Sequence, residues 1–136
     1  MSPVTVGYSG TPLPRKLGIK EGHRVLLAGA PSGFDLGPLA GVDVHRRAGK
    51  APYDVIVAFM PDRRTLDRRF PLLAGRLVTN GGLWIAWPKR SSGVPTDLDD
   101  NVVRGVGLAA GLVDNKVCAV DQTWSAQRFV VRLRDR

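Results

Sequence analysis

The sequence predicts an α/β fold built on a mostly parallel sheet, and three observations support this prediction. Two apolar runs, residues 53–60 and 83–87, are continuous rather than alternating, which is typical of strands buried on both faces of a sheet. Segments with helical spacing of apolar residues follow both runs. Two further β-type runs, residues 113–120 and 124–133, predict a C-terminal antiparallel hairpin. We therefore expect a three-layer sandwich, with helices on both faces of the sheet.

Length and composition allow one ordinary domain. The chain has 136 residues, of which 43% are hydrophobic and 24% are charged. We expect residues 1–22 to form an irregular N-terminal segment that packs on a single domain spanning residues 23–136. No apolar stretch approaches the roughly 20 residues of a transmembrane helix, and no secretory signal pattern is present, so a cytoplasmic location is expected. The one cysteine, Cys118, excludes an internal disulfide, and its apolar strand predicts a buried core residue.

The net charge is strongly positive, at +8 with a pI of about 10.6. Such an excess attracts nucleic acids, nucleotides, acidic proteins and membrane surfaces. Half of the basic residues are dispersed in five pairs, and only Arg128, Arg132, Arg134 and Arg136 form a concentrated group. We interpret the charge mainly as solvated surface charge. Nucleic-acid binding remains an alternative, and no membrane partner is expected.

The first half of the chain predicts three strands. Residues 24–28 form the first strand and lead into the small-residue turn Gly29-Ala30-Pro31-Ser32-Gly33. Residues 42–45 predict a brief second strand, and residues 53–60 predict a third strand that Pro61 ends. Right-handed crossovers place the first strand between the other two. The expected ligand crevice therefore lies between the ends of the strands at 24–28 and 53–60.

The second half predicts two helices, one more parallel strand and the hairpin. Asp62 is placed to cap the first helix, but Pro71 predicts that this helix breaks in two. Two glycines precede the strand at residues 83–87. Thr96 and Asp99 have the spacing of a capping box at the start of the second helix. Together these elements predict a Rossmann-like sheet that ends in an antiparallel hairpin.

Two resemblances rest on particular residues. The paired glycines before the strand at 83–87, the Pro88-Lys89 that follows it and the closing hairpin resemble the class I S-adenosylmethionine-dependent methyltransferase fold, in a truncated form. Over nearly its whole length the chain also resembles the bacterial family known as domain of unknown function 3052, which implies no activity. The motifs that carry this second resemblance are Gly7-Tyr8-Ser9-Gly10-Thr11-Pro12-Leu13, Lys16-Leu17-Gly18-Ile19, Ala30-Pro31-Ser32-Gly33-Phe34, Leu83-Trp84-Ile85-Ala86-Trp87-Pro88-Lys89, Ser92-Gly93-Val94, Leu112-Val113-Asp114-Asn115-Lys116-Val117-Cys118-Ala119 and Trp124-Ser125.

The methyltransferase resemblance implies S-adenosylmethionine, yet the residues predict that no cofactor is bound. In that fold the turn that cradles S-adenosylmethionine follows an acidic residue and has alternating glycines, whereas here Pro31 stiffens the turn and removes one N–H. An acidic residue that binds the ribose should end the next strand, where this chain has His45-Arg46-Arg47. The two arginines would suit a phosphorylated ribose, but the glycine spacing of dinucleotide sites is missing.

The candidate ligand site consists of polar residues that follow the parallel strands. Backbone N–H groups at helix starts together with Lys and Arg side chains predict an anion site in the crevice. The alternative is that Ser32 and Asp62 only cap helices and that Lys89 and Arg90 are solvated. The residues of this site are Ser32, Gly33, Asp62, Arg63, Trp87, Lys89, Arg90, Ser91 and Ser92.

Other chemistry has weaker support. His23 and His45 have no partners at metal-ligand spacing, so no metal site is expected. Asp114 and Asp121 could form an acid/base pair, although turn capping explains them more simply. We therefore expect a non-catalytic binding or regulatory module for a nucleotide-like or phosphorylated ligand, or for a protein partner. A divergent methyltransferase-like enzyme that uses the same crevice is the alternative.

Overall fold

Six strands form one mixed sheet in the computed structural model, which describes residues 10–136. The strands are β1 (Arg24–Ala28), β2 (Asp43–His45), β3 (Tyr53–Phe59), β4 (Leu77–Pro88), β5 (Leu112–Ala119) and β6 (Trp124–Val131). Their order across the sheet is β2-β1-β3-β4-β6-β5. Strands β1 to β4 pair in parallel, whereas β6 runs antiparallel to both β4 and β5. This is the predicted Rossmann-like sheet with a C-terminal hairpin.

The first crossover gives the sheet its switch point. Strand β1 lies between β2 and β3. After β1 the chain forms β2 on one side of it, and then crosses back to form β3 on the other side. The carboxyl ends of β1 and β3 are therefore adjacent, and the loops that follow them diverge. Both strands are apolar and almost fully buried, as their continuous hydrophobic runs predict.

Two helices cover one face of the sheet. Helix α2 (Arg63–Ala74) and helix α3 (Asp100–Ala109) follow the short helix α1 (Leu13–Lys16) in chain order, and short 3-10 turns occupy Arg90–Ser92 and Leu133–Asp135. The predicted break in the first long helix is wrong, because α2 runs through Pro71 without interruption. Pro71 lies in the last turn of α2, so it removes a single backbone hydrogen bond, and the buried Phe70 beside it keeps the helix on the sheet.

The opposite face is covered by α1 and by the link between β1 and β2, which has no helix of its own. Leu17 and Phe34 pack there against the strands. The indole N–H of Trp84 donates to the Leu17 carbonyl at 3.0 Å and so fixes the segment after α1. The Arg46 guanidinium donates to the Phe34 carbonyl and holds the link in place. The third layer is therefore built mainly from loops, as suits a truncated form of the fold.

Strand β4 is longer than predicted. It begins at Leu77, so Gly81 and Gly82 lie inside the strand rather than before it. A Cβ on Gly81 would lie 2.7 Å from the Asp54 carbonyl oxygen, and one on Gly82 would lie 2.3 Å from Nε of Arg128. The two glycines therefore permit close approach of neighbouring groups.

Several sequence predictions are not decided by the fold. Gly7 to Ser9 of the motif at residues 7–13 lie outside the described residues. The division between residues 1–22 and 23–136 stays a prediction. Among the described helices, none is long and apolar enough to cross a membrane. The cytoplasmic location also stays a prediction.

Candidate functional site

The turn after β1 closely approaches the end of β3. Gly29 has a φ of +67°, and a Cβ at this position would lie 3.0 Å from the Phe59 carbonyl oxygen. The same Cβ would lie 3.3 Å from a guanidinium nitrogen of Arg69. Only glycine fits both the left-handed backbone and this contact. Gly29 thus sets the path of the loop along the carboxyl edge of the sheet.

A groove of ≈ 540 Å³ lies between that loop and the tip of the β5–β6 hairpin, and we call it the hairpin groove. Its volume falls within the range of about 300–1,000 Å³ that is usual for cofactor and small-molecule sites. Helix α1 contributes Leu13 to one side. The full lining is Leu13, Pro31, Ser32, Gly33, Phe34, Asp35, Val120, Asp121, Thr123 and Trp124.

Aromatic contacts hold the two walls of the hairpin groove in place. Phe59, at the end of β3, is almost fully buried beneath the groove. Its ring packs edge-to-face on Phe34 at 4.9 Å between centroids and on Trp124 at 5.1 Å. Such edge-to-face pairs are favourable beyond the area that they bury. The loop wall and the hairpin wall are therefore both fixed against the same ring.

The hairpin groove is acidic although the whole chain is basic. Asp35 and Asp121 are its charged lining residues, and no Lys or Arg is found among the described residues that line it. Oδ1 of Asp121 accepts hydrogen bonds from the backbone N–H groups of Thr123 and Trp124, which confirms that Asp121 caps a turn. Oδ1 of Asp35 accepts the Gly37 N–H at 2.8 Å. Each carboxylate is thus oriented through one oxygen, and no described residue donates to the other.

A smaller cavity of ≈ 320 Å³, which we call the Trp87 cavity, lies beyond the end of β4. Trp87 is buried in its wall, and Arg90 and Asp97 also line it. Asp62 lies next to this cavity as the N-cap of α2, where it accepts the Thr65 N–H at 2.8 Å. The backbone N–H of Arg63 donates to Asp97 at 2.8 Å, which ties the start of α2 to the loop after β4.

The segment that follows β4 has contacts that shape the loop. The Lys89 N–H donates to the Thr123 carbonyl at 2.8 Å and so links the loop to the hairpin tip. Oγ of Ser92 donates to the Lys89 carbonyl at 2.7 Å and accepts the Val94 N–H at 3.1 Å. Ser91 is exposed. Ser92 is therefore held within the turn.

The nine residues predicted for the site all lie at the carboxyl edge, but in different surroundings. Ser32 and Gly33 line the hairpin groove, whereas Trp87 and Arg90 line the Trp87 cavity. The other five cap, orient or flank these loops: Asp62, Arg63, Lys89, Ser91 and Ser92. Their role in ligand binding stays a prediction.

The sequence marks Ser32, Gly33 and Asp121 of the hairpin groove, but not the rest of its lining. Trp124 is half-buried: it packs against the core and also lines the groove. Asp35 falls in a link without regular spacing, and Phe34 belongs to a motif that implies no activity, so neither is predicted as a site residue. Cys118 is partly buried, and burial raises the pKa of its thiol, which disfavours a reactive thiolate. Within residues 10–136, no three His, Cys, Asp or Glu side chains come together to hold a metal ion.

The carboxylate of Asp62 makes stability depend on pH. Hydrogen bonds from the Thr65 backbone and side chain hold the pKa of Asp62 below its usual value of 3.8, with smaller effects from Arg68 and Arg64. A carboxyl group whose pKa is lowered by folding stabilises the folded state at pH values above its usual pKa. That stability is lost as the pH falls through the pKa of the folded state. Asp62→Asn keeps the cap acceptor but cannot ionise. We expect the melting temperature of Asp62→Asn to lie below that of the wild type at neutral pH, and the two to converge below about pH 3.8. A difference in melting temperature that does not vary with pH would contradict this prediction.

The fold is that of the class I S-adenosylmethionine-dependent methyltransferases. A methyltransferase of this kind from Aquifex aeolicus is similar with a TM-score of 0.63 and 16% identity, over 88% of this chain and 88% of that one. A TehB-like S-adenosylmethionine-dependent methyltransferase from Corynebacterium glutamicum gives a TM-score of 0.60 and 12% identity, over 93% of this chain and 90% of that one. At these identities the similarity shows the fold. No family model and no curated protein matches the chain, so the resemblance to domain of unknown function 3052 stays a prediction.

The expectation that no cofactor is bound is corrected by these structures. LepI, solved in complex with S-adenosylhomocysteine (SAH) and a substrate analogue, is similar over 88% of this chain and 39% of its own length, with a TM-score of 0.55 and 12% identity. The Aquifex aeolicus and Corynebacterium glutamicum proteins are S-adenosylmethionine-dependent methyltransferases. The expectation rested on missing motif residues in the turn after β1 and at the end of β2. Asp35 and Asp121 lie at the same edge of the sheet, in the hairpin groove.

Proposed function

We propose that this chain binds S-adenosylmethionine in the hairpin groove and is a small, divergent methyltransferase-like enzyme. The proposal rests on the negative charge of the hairpin groove. Two carboxylates, Asp35 and Asp121, line it in a chain whose net charge is +8. S-adenosylmethionine has a sulfonium cation and an ammonium group, which such carboxylates stabilise at short range. A phosphorylated ligand would be repelled by the same two groups.

The remaining lining suits the other parts of this ligand. Phe34 and Trp124 offer aromatic surface to an adenine ring or a sulfonium cation. The backbone N–H groups of Ser32 and Gly33 donate to no described acceptor, so they are free to bind carboxylate or ribose oxygens. Gly33 has a φ of +84° and no atom within 4 Å of the place where a Cβ would be. The loop therefore leaves open space beside these donors.

The chain would contribute binding, orientation and protection from water. When bound, S-adenosylmethionine supplies a methyl group made electrophilic by the sulfonium sulfur. Asp121 and Asp35 would orient the cationic part through carboxylates that backbone N–H groups already fix. Pro31 has no N–H and stiffens the turn, so the available donors come from Ser32 and Gly33. A non-catalytic module would bind the same ligand without transferring its methyl group.

The proposal is tested by calorimetric titration of S-adenosylmethionine and of SAH, which lacks the sulfonium charge. We expect both ligands to bind the wild type. The Asp35→Asn, Asp121→Asn double variant keeps the turn acceptors and should weaken S-adenosylmethionine binding about tenfold or more, and SAH binding by less. The matched control is Asp67→Asn, an exposed carboxylate on α2 that pairs with Arg63, and it should change neither affinity.

Two results would contradict the proposal. One is that neither ligand binds at millimolar concentration. The other is that the double variant weakens both ligands equally, or no more than Asp67→Asn does. Where binding holds, incubation with S-adenosylmethionine and candidate acceptors, followed by detection of SAH, separates an enzyme from a non-catalytic module.

A further inference from the structure

A third cavity, of ≈ 350 Å³, lies at the opposite edge of the sheet, and we call it the amino-edge cavity. It is formed between the start of β3 and β4 and the segment after α1, on the face that α1 covers. Its charged and titratable lining consists of Lys16, Lys20, His23, Asp54, Lys116 and Arg128. Four of these six are cationic, and Asp54 is the one carboxylate among them. Oδ2 of Asp54 already accepts the Arg24 N–H at 2.8 Å.

Arg128 lines this cavity from strand β6. It is half-buried on β6, and its guanidinium group lies over Gly82, where a Cβ would come within 2.3 Å of Nε. The guanidinium lines the cavity, and its nitrogens are not among the buried side-chain atoms that lack a partner. Burial lowers the pKa of Arg128, and the nearby Arg136 lowers it further. A partly desolvated cation therefore lines the cavity, in which Asp54 is the one carboxylate among the described lining residues.

Neighbouring lysines add to the positive charge of the cavity. Lys116 lies directly opposite Arg128 in the antiparallel register of β5 and β6, so both side chains leave the same face of the sheet. Like charges directly opposite each other are destabilising. Lys16 and Lys20 approach from the other wall. Nζ of Lys16 donates to the Ala119 carbonyl at 3.1 Å, which directs it towards β5.

His23 supplies a further donor. Its Nδ1 accepts the Lys20 backbone N–H at 3.1 Å, so the neutral ring carries its proton on Nε2. The cavity thus combines a guanidinium, several ammonium groups and an imidazole N–H. A guanidinium matches phosphate oxygens in a bidentate geometry, and ammonium groups bind phosphate as point charges.

We propose that the amino-edge cavity binds a small molecule through a diphosphate group. Its volume is at the lower end of the range for small-molecule sites, and four cationic residues line it. Other arginines, such as Arg63, Arg64 and Arg68, lie on α2 over the opposite face of the sheet. Basic residues therefore lie on both faces of the sheet rather than on one face only. This site is distinct from the hairpin groove.

The test is calorimetric titration of the full chain with inorganic pyrophosphate, with inorganic phosphate as a comparison. We expect pyrophosphate to bind more tightly than phosphate. Arg128→Gln and Lys116→Gln should each weaken pyrophosphate binding about tenfold, whereas Arg68→Gln, an exposed arginine on α2, should not. Lys116 is exposed, so its variant tests the site even where Arg128→Gln lowers stability. Saturating SAH should leave pyrophosphate binding unchanged, which separates this proposal from that for the hairpin groove.

Three outcomes would overturn the proposal. The first is no binding of pyrophosphate at millimolar concentration. The second is an equal loss in Arg68→Gln, which would indicate unspecific attraction by the net charge. The third is that a short single-stranded oligonucleotide binds with strong salt dependence while pyrophosphate does not, which would favour nucleic-acid binding.

Discussion

Replacement of Ala86 by aspartate should leave the chain unfolded. Ala86 is fully buried in β4, with Phe59 of β3 on one side and Ala126 of β6 on the other. A carboxylate at this point would lose its hydration without a partner, at a cost of several kcal/mol. That cost is comparable with the whole stability of an ordinary domain, about 5–15 kcal/mol.

Circular dichroism and thermal melting measure this effect directly. We expect Ala86→Asp to show no cooperative melting transition. The matched control is Ala40→Asp, because Ala40 is exposed in the link between β1 and β2. This variant should melt as the wild type does. A cooperatively folded Ala86→Asp protein would mean that β4 is not a central strand.

Gly107 and Gly105, both in helix α3, should respond oppositely to alanine. A Cβ on Gly107 would lie 2.1 Å from Cε1 of Phe129, a fully buried ring that also packs edge-to-face on Phe70. Overpacking of this kind costs about 1–3 kcal/mol. We expect it to outweigh the gain of about 1 kcal/mol in helix propensity on replacing glycine by alanine.

Gly105 provides the matched control on the same helix. No atom lies within 4 Å of a Cβ built at this position. Gly105→Ala should therefore raise the free energy of unfolding by about 1 kcal/mol. Urea denaturation of the two variants measures the change in the free energy of unfolding for each, and so the sign of both effects. A stabilised Gly107→Ala protein would contradict the close packing of α3 on β6.

Features set by local chemistry could be predicted from the sequence. The continuous apolar runs marked β1, β3 and the buried part of β4, because a strand covered on both faces needs no alternation. Asp62 caps α2 as expected, since capping depends on residues three positions apart. The cap of α3 is Asp99, which accepts the Val102 N–H, while Thr96 donates to the Pro61 carbonyl instead. That contact joins two loops distant in sequence, so spacing alone could not show it.

The hairpin groove and the amino-edge cavity could not be predicted because they depend on contacts between distant residues. The walls of the hairpin groove meet only because Phe34 and Trp124 pack on the same ring of Phe59. The acidic character of the groove also depends on where folding places Asp35 and Asp121. In the amino-edge cavity, Lys116 and Arg128 become neighbours through the register of β5 and β6. The sequence located the carboxyl edge of the sheet, but not which side chains face its grooves.

The proposal that the hairpin groove binds S-adenosylmethionine is tested most directly by the indole N–H signals of the protein in solution. Trp124 lines the groove, whereas the Trp84 indole is bonded to the Leu17 carbonyl beside the amino-edge cavity. In a nitrogen–proton correlation spectrum, addition of S-adenosylmethionine should shift the Trp124 indole signal and leave the Trp84 signal in place. A Trp124 signal that does not move at saturating ligand would contradict the proposed site.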